Sequence, residues 1–129
     1  MSVDSDVRRF LDRWAATTAS RDVTASAELF LRDPAPLVVF SDGERAQDWL
    51  DVRVRLERDY GHAIIEGIDV HDVQARDLGS NVLLVSFGYW MRARDMWGVA
   101  TTSARRASMT LVRTKEGLRI AGEHFARGE

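Results

Sequence analysis

The stretch LRIAGEHFARG, residues 118–128, holds a histidine in apolar company. Read as a strand, its alternate residues are Leu118, Ile120, Gly122, His124 and Ala126, so one face is apolar apart from His124. An imidazole titrates near neutrality, which suits a proton donor or acceptor facing a pocket, and Gly122 leaves room for a ligand beside it. The same pattern fits a half-buried histidine hydrogen-bonded to Ser108 or to backbone, because buried polar groups are normally satisfied. The residues alone leave both readings open.

Other side chains divide in the same way. Trp14, Phe40, Trp49, Tyr60 and Phe87 could line an apolar pocket for a ring-shaped molecule, or pack an ordinary core. Asp42 and Asp72 are candidate acidic partners, or a turn carboxylate and a solvated strand residue. Arg106 could meet an anionic ligand at a pocket mouth, or pair with surface acids. His62 and His71 share no metal-ligand spacing with His124, and there is no cysteine, so neither a metal nor another cofactor is expected. SDGERA lacks the Lys and Ser/Thr of a phosphate loop, and no nucleophile elbow supports Ser-His-Asp catalysis.

A chain of 129 residues fits one domain, residues 1–129. Its net charge is −2, with acids and bases interspersed, so no phosphate-binding stripe and no nucleic-acid partner is expected. The start MSVDSDVRRF lacks a signal-peptide core and no run reaches the length of a membrane span. The expectation is a soluble, cytoplasmic protein that does not engage membranes.

The elements that must position these residues follow from spacing. Val7, Phe10, Leu11, Trp14 and Thr18 form a helical stripe behind the acids Asp4 and Asp6, which predicts a helix over residues 4–19. Asp22 caps a second helix that buries Val23, Ala27, Phe30 and Leu31 and stops at Pro34 and Pro36. LVVFSDG, residues 37–43, reads as a strand entering a turn. Trp49, Val52, Leu56 and Tyr60 mark a third helix ended by Gly61. The parity of IIEGIDVHDVQARDLG changes between Val70 and Val73, predicting a bulge near His71 or Asp72. Long strands over residues 81–96 and 99–114 and the terminal strand complete an α+β domain, three N-terminal helices before a mostly antiparallel sheet.

With a two-residue turn at Trp97-Gly98 and a three-residue turn at residues 115–117, the register follows by counting. One face then carries Phe87, Ser108 and His124 in a column, flanked by Val85, Thr110 and Gly122 and by Tyr89, Arg106 and Ala126. The other face carries Ser86, Met109 and Glu123. Both faces hold apolar surface, so one should cover the helices and the other a second subunit, implying a homodimer through the outer sheet face. An exposed Trp97 at a hairpin tip would favour a further role in assembly.

Trp14, Arg21-Asp22, VVFSDG and TLVRTKEGLRIAGEHFA stand, in order, where the SnoaL-like branch of the NTF2-like superfamily has its motifs, and the chain resembles that family over nearly its whole length. Leu118, Gly122 and Ala126 depart from its C-terminal Trp-x-Ile-x-His-x-His-x-Ser motif, of whose polar part His124 remains. The resemblance implies a cone-shaped α+β barrel with three helices on a strongly curved sheet, an internal pocket, and dimerisation through the outer face. It also implies a reaction class, since such proteins include polyketide cyclases, isomerases and dehydratases working without a cofactor on apolar cyclic substrates. His124 would be the acid/base, Tyr60 or Tyr89 would assist, and Trp14, Phe40, Trp49, Phe87, Arg106, Ser108 and Thr110 would line the ligand site. The competing reading is a non-catalytic dimer that binds a small hydrophobic or aromatic molecule or another protein.

Overall fold

Helix α1, Val3–Ser20, turns Val7, Phe10, Leu11 and Trp14 inward at the predicted spacing. The computed structural model describes residues 3–127. Asp22 starts α2, Val23–Ala27, by accepting a hydrogen bond from the Ala25 N–H at 3.0 Å. This helix stops well before the prolines. Leu29 accepts from Ile120 N–H at 2.7 Å and Leu31 donates to the Ile120 carbonyl at 2.9 Å, so the chain leaves the helix to run beside the last strand.

Strands β1, Leu37–Val39, and β2, Arg45–Ala46, form a small hairpin. The predicted strand over residues 37–43 ends early because Phe40 and Glu44 close a turn in which Gly43 takes φ +86°. Helix α3, Trp49–Tyr60, begins at Asp48, whose carboxylate accepts from Asp51 N–H at 2.8 Å, and ends at Gly61.

Four long strands follow: β3, Ile64–Gly79; β4, Val82–Arg94; β5, Ala100–Thr114; and β6, Gly117–Arg127. The sheet order is β2-β1-β6-β5-β4-β3, antiparallel except where β1 runs parallel to β6. The predicted bulge is present: His71 opposes Gly88 and the next pair is Gln74 with Ser86, with Asp72 at φ +53°. Among the described residues no helix is long and apolar enough to cross a membrane.

Two turns differ from expectation, and their difference decides the site. Arg94 pairs with Ala100, so residues 95–99 form the loop instead of a two-residue turn at Trp97-Gly98. Asp95 organises it, its carboxylate accepting from Trp97 N–H at 2.8 Å and Val99 N–H at 2.9 Å. The register of β4 on β5 therefore slips by one residue, and Ser86, not Phe87, lies opposite Ser108. At the next hairpin Thr114 pairs with Gly117, a shorter turn than predicted, but an irregularity at Ala121 restores the count so that Ser108 still opposes His124.

The inner face of the curved sheet packs on the helices. It carries Leu83, Val85, Phe87 and Tyr89 from β4, Ala107, Met109 and Leu111 from β5, and Ile120 from β6, all buried. Trp14 meets Phe87 and Tyr89 edge-on, each at 5.3 Å between ring centroids.

Candidate functional site

A cavity of about 420 Å³ opens between the helices and the inner sheet face. Aromatic and aliphatic walls come from Trp14, Phe40, Tyr60, Tyr89, Met91 and Phe125, and polar side chains, among them Asp42, Arg55, Asp59, His62, Arg105 and Glu123, share the lining. This mixture is what a small-molecule pocket requires: apolar area for affinity and a few fixed polar atoms for orientation.

The deepest of those polar groups is Glu123. On β6 it sits between Val38 of β1 and Met109 of β5, both fully buried, and its own exposure is 4%. Neither carboxylate oxygen has a hydrogen-bond partner among the described residues. Burial without compensation pushes its pKa well above the ordinary carboxyl value, so the neutral acid is the favoured form.

Two tyrosines share this cavity. Burial, reinforced by the charge of Glu123, raises the Tyr89 pKa, while Arg105 opposes the rise. Burial also raises Tyr60, and hydrogen bonds from Ser26 and Thr18 counter it. The Tyr60 hydroxyl and the buried Ser26 hydroxyl lie 2.9 Å apart, fixing α3 to α2 and leaving the Tyr60 ring as wall.

At the mouth the charges are arranged oppositely. Asp42 accepts from Glu44 N–H at 2.9 Å and from Arg55, and these contacts hold its carboxyl below the usual range. The Arg55 guanidinium reaches Asp42 at 3.1 Å, Glu44 at 3.3 Å and Asp59 at 2.8 Å, and lies 4.1 Å over the Phe40 ring. One cavity therefore carries a carboxyl whose pKa is raised at its inner end and one whose pKa is lowered at its rim, the divergence by which two like groups take acid and base roles.

The predicted residues fall into two groups. Trp14, Phe40, Tyr60 and Tyr89 line the cavity. His124 does not: it is exposed on the outer face, beside Val39 and opposite Ser108. The expectation that it faces the pocket is corrected by the irregularity at Ala121, which turns both Ile120 and Glu123 inward and leaves His124 outside. Ser108 and Arg106 are likewise exposed on that face, Arg106 pairing with Asp72 at 3.3 Å, and Thr110 lies opposite Gly122. Phe87 is core behind Trp14. Trp49 is absent from the wall because its indole N–H donates to the Ala27 carbonyl at 2.9 Å, with the Arg32 guanidinium 3.7 Å above its ring.

Glu123 is the residue that spacing misses. Counting places it on the face opposite His124, and only the register slip between β4 and β5 brings Tyr89 to the same side as Glu123. The signal in the sequence is a lone carboxylate with Ala121 and Phe125 as its alternate neighbours.

No family model matches the sequence, and neither does any curated protein. Solved structures do match. An NTF2-like protein of unknown function in nutrient uptake from Rhodospirillum rubrum aligns with a TM-score of 0.79 and 19% identity over 96% of this chain and 99% of its own. A ketosteroid isomerase-like protein from Erwinia carotovora atroseptica gives 0.80 and 11% over 97% and 95%. Aln2 from a Streptomyces species gives 0.84 and 14% over 98% and 93%. At such identities the likeness concerns architecture, and function is not transferred by it. With its helices on a curved sheet and its cavity between them, the chain has the NTF2-like fold.

Proposed function

We propose that the protein binds an uncharged, mainly apolar cyclic molecule in the cavity and acts on it by general acid/base chemistry without a cofactor. The observation that carries this reading is Glu123, a buried carboxyl with no hydrogen-bond partner among the described residues, in the wall of a cavity whose exposed surface is mostly apolar. A neutral carboxylic acid there donates a hydrogen bond to a ligand carbonyl, and Tyr89 supplies a second donor. As a carbon-bound proton leaves for Asp42, the C–H electron pair forms the enol double bond. The carbonyl oxygen then takes the Glu123 proton, and reversal at another carbon completes an isomerisation.

The experiment compares 1-tetralone, a bicyclic ketone, with tetralin, its hydrocarbon counterpart, by binding and by exchange of the ketone's α-protons in D₂O. Preferential binding of the ketone that Glu123→Gln weakens and His124→Ala leaves unchanged is the expected result. Saturable ketone binding without accelerated exchange would reduce the role to ligand binding, and equal behaviour of ketone and hydrocarbon would remove Glu123 from both.

The homodimer belongs to the same proposal. Leu84 and Trp90 are 43% and 47% exposed on the outer sheet face, next to Gly88 and Ala104, where a second copy could cover them. Trp97 at the hairpin tip is 82% exposed, which supports an interaction role for the tip.

A further inference from the structure

The hairpin of β4 and β5 ends in an apolar tip. Met96, Trp97 and Val99 are 76%, 82% and 55% exposed within one loop, residues 95–99. A turn does not require such residues: β3 passes to β4 through Ser80 and Asn81, and β5 to β6 through Lys115 and Glu116, all polar. Single exposed apolar side chains are ordinary on a protein surface, whereas three together on a protruding tip mark a contact site.

The polar groups of the loop turn inward. The N–H groups of Trp97 and Val99 donate to the Asp95 carboxylate, Gly98 N–H donates to the Asp95 carbonyl at 3.0 Å, and Asp95 N–H donates to the Val99 carbonyl at 3.1 Å. The Gly98 carbonyl accepts from the Arg94 guanidinium at 3.0 Å. Behind the tip the cations are balanced, Arg94 by Glu66 at 2.7 Å and Arg92 by Asp69 at 3.5 Å. The tip therefore presents three apolar side chains on a backbone that needs little from water, as a group entering a lipid interface requires.

Area and position choose the occupant. A five-residue tip cannot supply the roughly 800 Å² per partner of a stable protein–protein interface. A few apolar side chains suffice for reversible contact at a lipid headgroup boundary, where an indole ring is favoured. The tip also adjoins the Glu123 cavity, for Ala93 and Ile65, paired across β4 and β3, line that cavity two residues before the loop. We infer that Met96, Trp97 and Val99 seat the protein reversibly on the surface of a phospholipid bilayer. Seating puts the cavity beside the phase in which the uncharged, apolar ligand of the proposed function dissolves; that benefit rests on the acid/base reading, and the seating itself does not. It departs from the expectation of no membrane contact, which rested on the absence of a spanning run and not on the loop.

The test is flotation of the full chain with phosphatidylcholine vesicles, beside quenching of tryptophan emission by phosphatidylcholine brominated on its acyl chains. The parent should float with the vesicles at low and high salt alike, because the contact is apolar. Trp97→Ser should weaken partition roughly tenfold or more, the loss of the largest apolar side chain of the tip, and should remove most of the quenching. Trp97 is exposed, so circular dichroism of the variant should match the parent. Leu78→Ser, at an exposed position on the opposite end of the sheet, should float as the parent does. A parent that stays out of the vesicle fraction, or equal partition in Trp97→Ser, overturns the seating. Flotation confined to anionic vesicles and lost at high salt overturns it in favour of adsorption through arginines. A parent mass by light scattering that Trp97→Ser lowers, without flotation, overturns it in favour of a second copy. Each of these results would leave the acid/base reading standing.

Discussion

Replacing Glu123 by glutamine should make the protein more stable at neutral pH, and by an amount that depends on pH. The buried carboxyl has a pKa raised above the ordinary glutamate value of 4.5. The folded chain therefore holds this proton more tightly than the unfolded chain does. The group's contribution is fully present below pH 4.5 and is lost as pH rises toward the folded-state pKa. Through that window stability falls by about 1.4 kcal/mol per pH unit. For a domain of this size that is roughly 5 °C in Tm per unit. The amide in Glu123→Gln does not titrate, so the two proteins should be close in stability near pH 4.5 and diverge above it. Chemical denaturation at half-unit pH intervals would measure the difference, in which the titration of every other carboxyl cancels. Parallel profiles for parent and variant would refute the reasoning, since they would mean that Glu123 is as well solvated when folded as when unfolded.

Other substitutions probe separate parts of the structure. Tyr60→Phe removes the hydroxyl 2.9 Å from the buried Ser26 hydroxyl, and should lower unfolding stability by about 1–2 kcal/mol, a loss that Tyr60→Phe/Ser26→Ala largely recovers. Unfolding in urea would show it as a shift in midpoint at constant slope. On the proposed dimer, light scattering should give the mass of two chains for the parent and of one for Leu84→Glu, on the outer sheet face; a monomeric parent would remove the dimer, and an unchanged dimer mass in the variant would put the subunit contact elsewhere.

The first and third helices and the long strands are legible in the sequence because they rest on local periodicity, whereas β2 and the parallel pairing of β1 with β6 have no local signal. DVRVRLE alternates as a strand would, but the longer stripe of Trp49, Val52, Leu56 and Tyr60 favours the helix that forms, and the change of parity around His71 is met by a bulge. The candidate site was half legible. Trp14, Phe40, Tyr60 and Tyr89 are legible as large rings suited to an interior wall, although the same criterion also selects Trp49 and Phe87, which lie outside the cavity lining. Counting makes His124 a candidate for the pocket and puts Glu123 on the opposite face, because side-chain direction in a strand reverses with each residue counted. Two local events governed that count: the Asp95 carboxylate capping Trp97 and Val99 N–H groups, and the irregularity at Ala121. Neither has a hydrophobic signature. The early end of α2 was hidden for a related reason, since its cause is a pairing with Ile120, far away in the sequence.

The most direct test of Glu123 as the interior acid is a pH titration of its carboxyl carbon by NMR in glutamate-labelled protein, with its resonance assigned by comparison with Glu123→Gln. At about pH 6 the solvated glutamates are ionised, and the Glu123 resonance should still report the protonated acid and should move when 1-tetralone is added. A Glu123 resonance that titrates together with the solvated glutamates, and is indifferent to the ketone, would contradict the central claim.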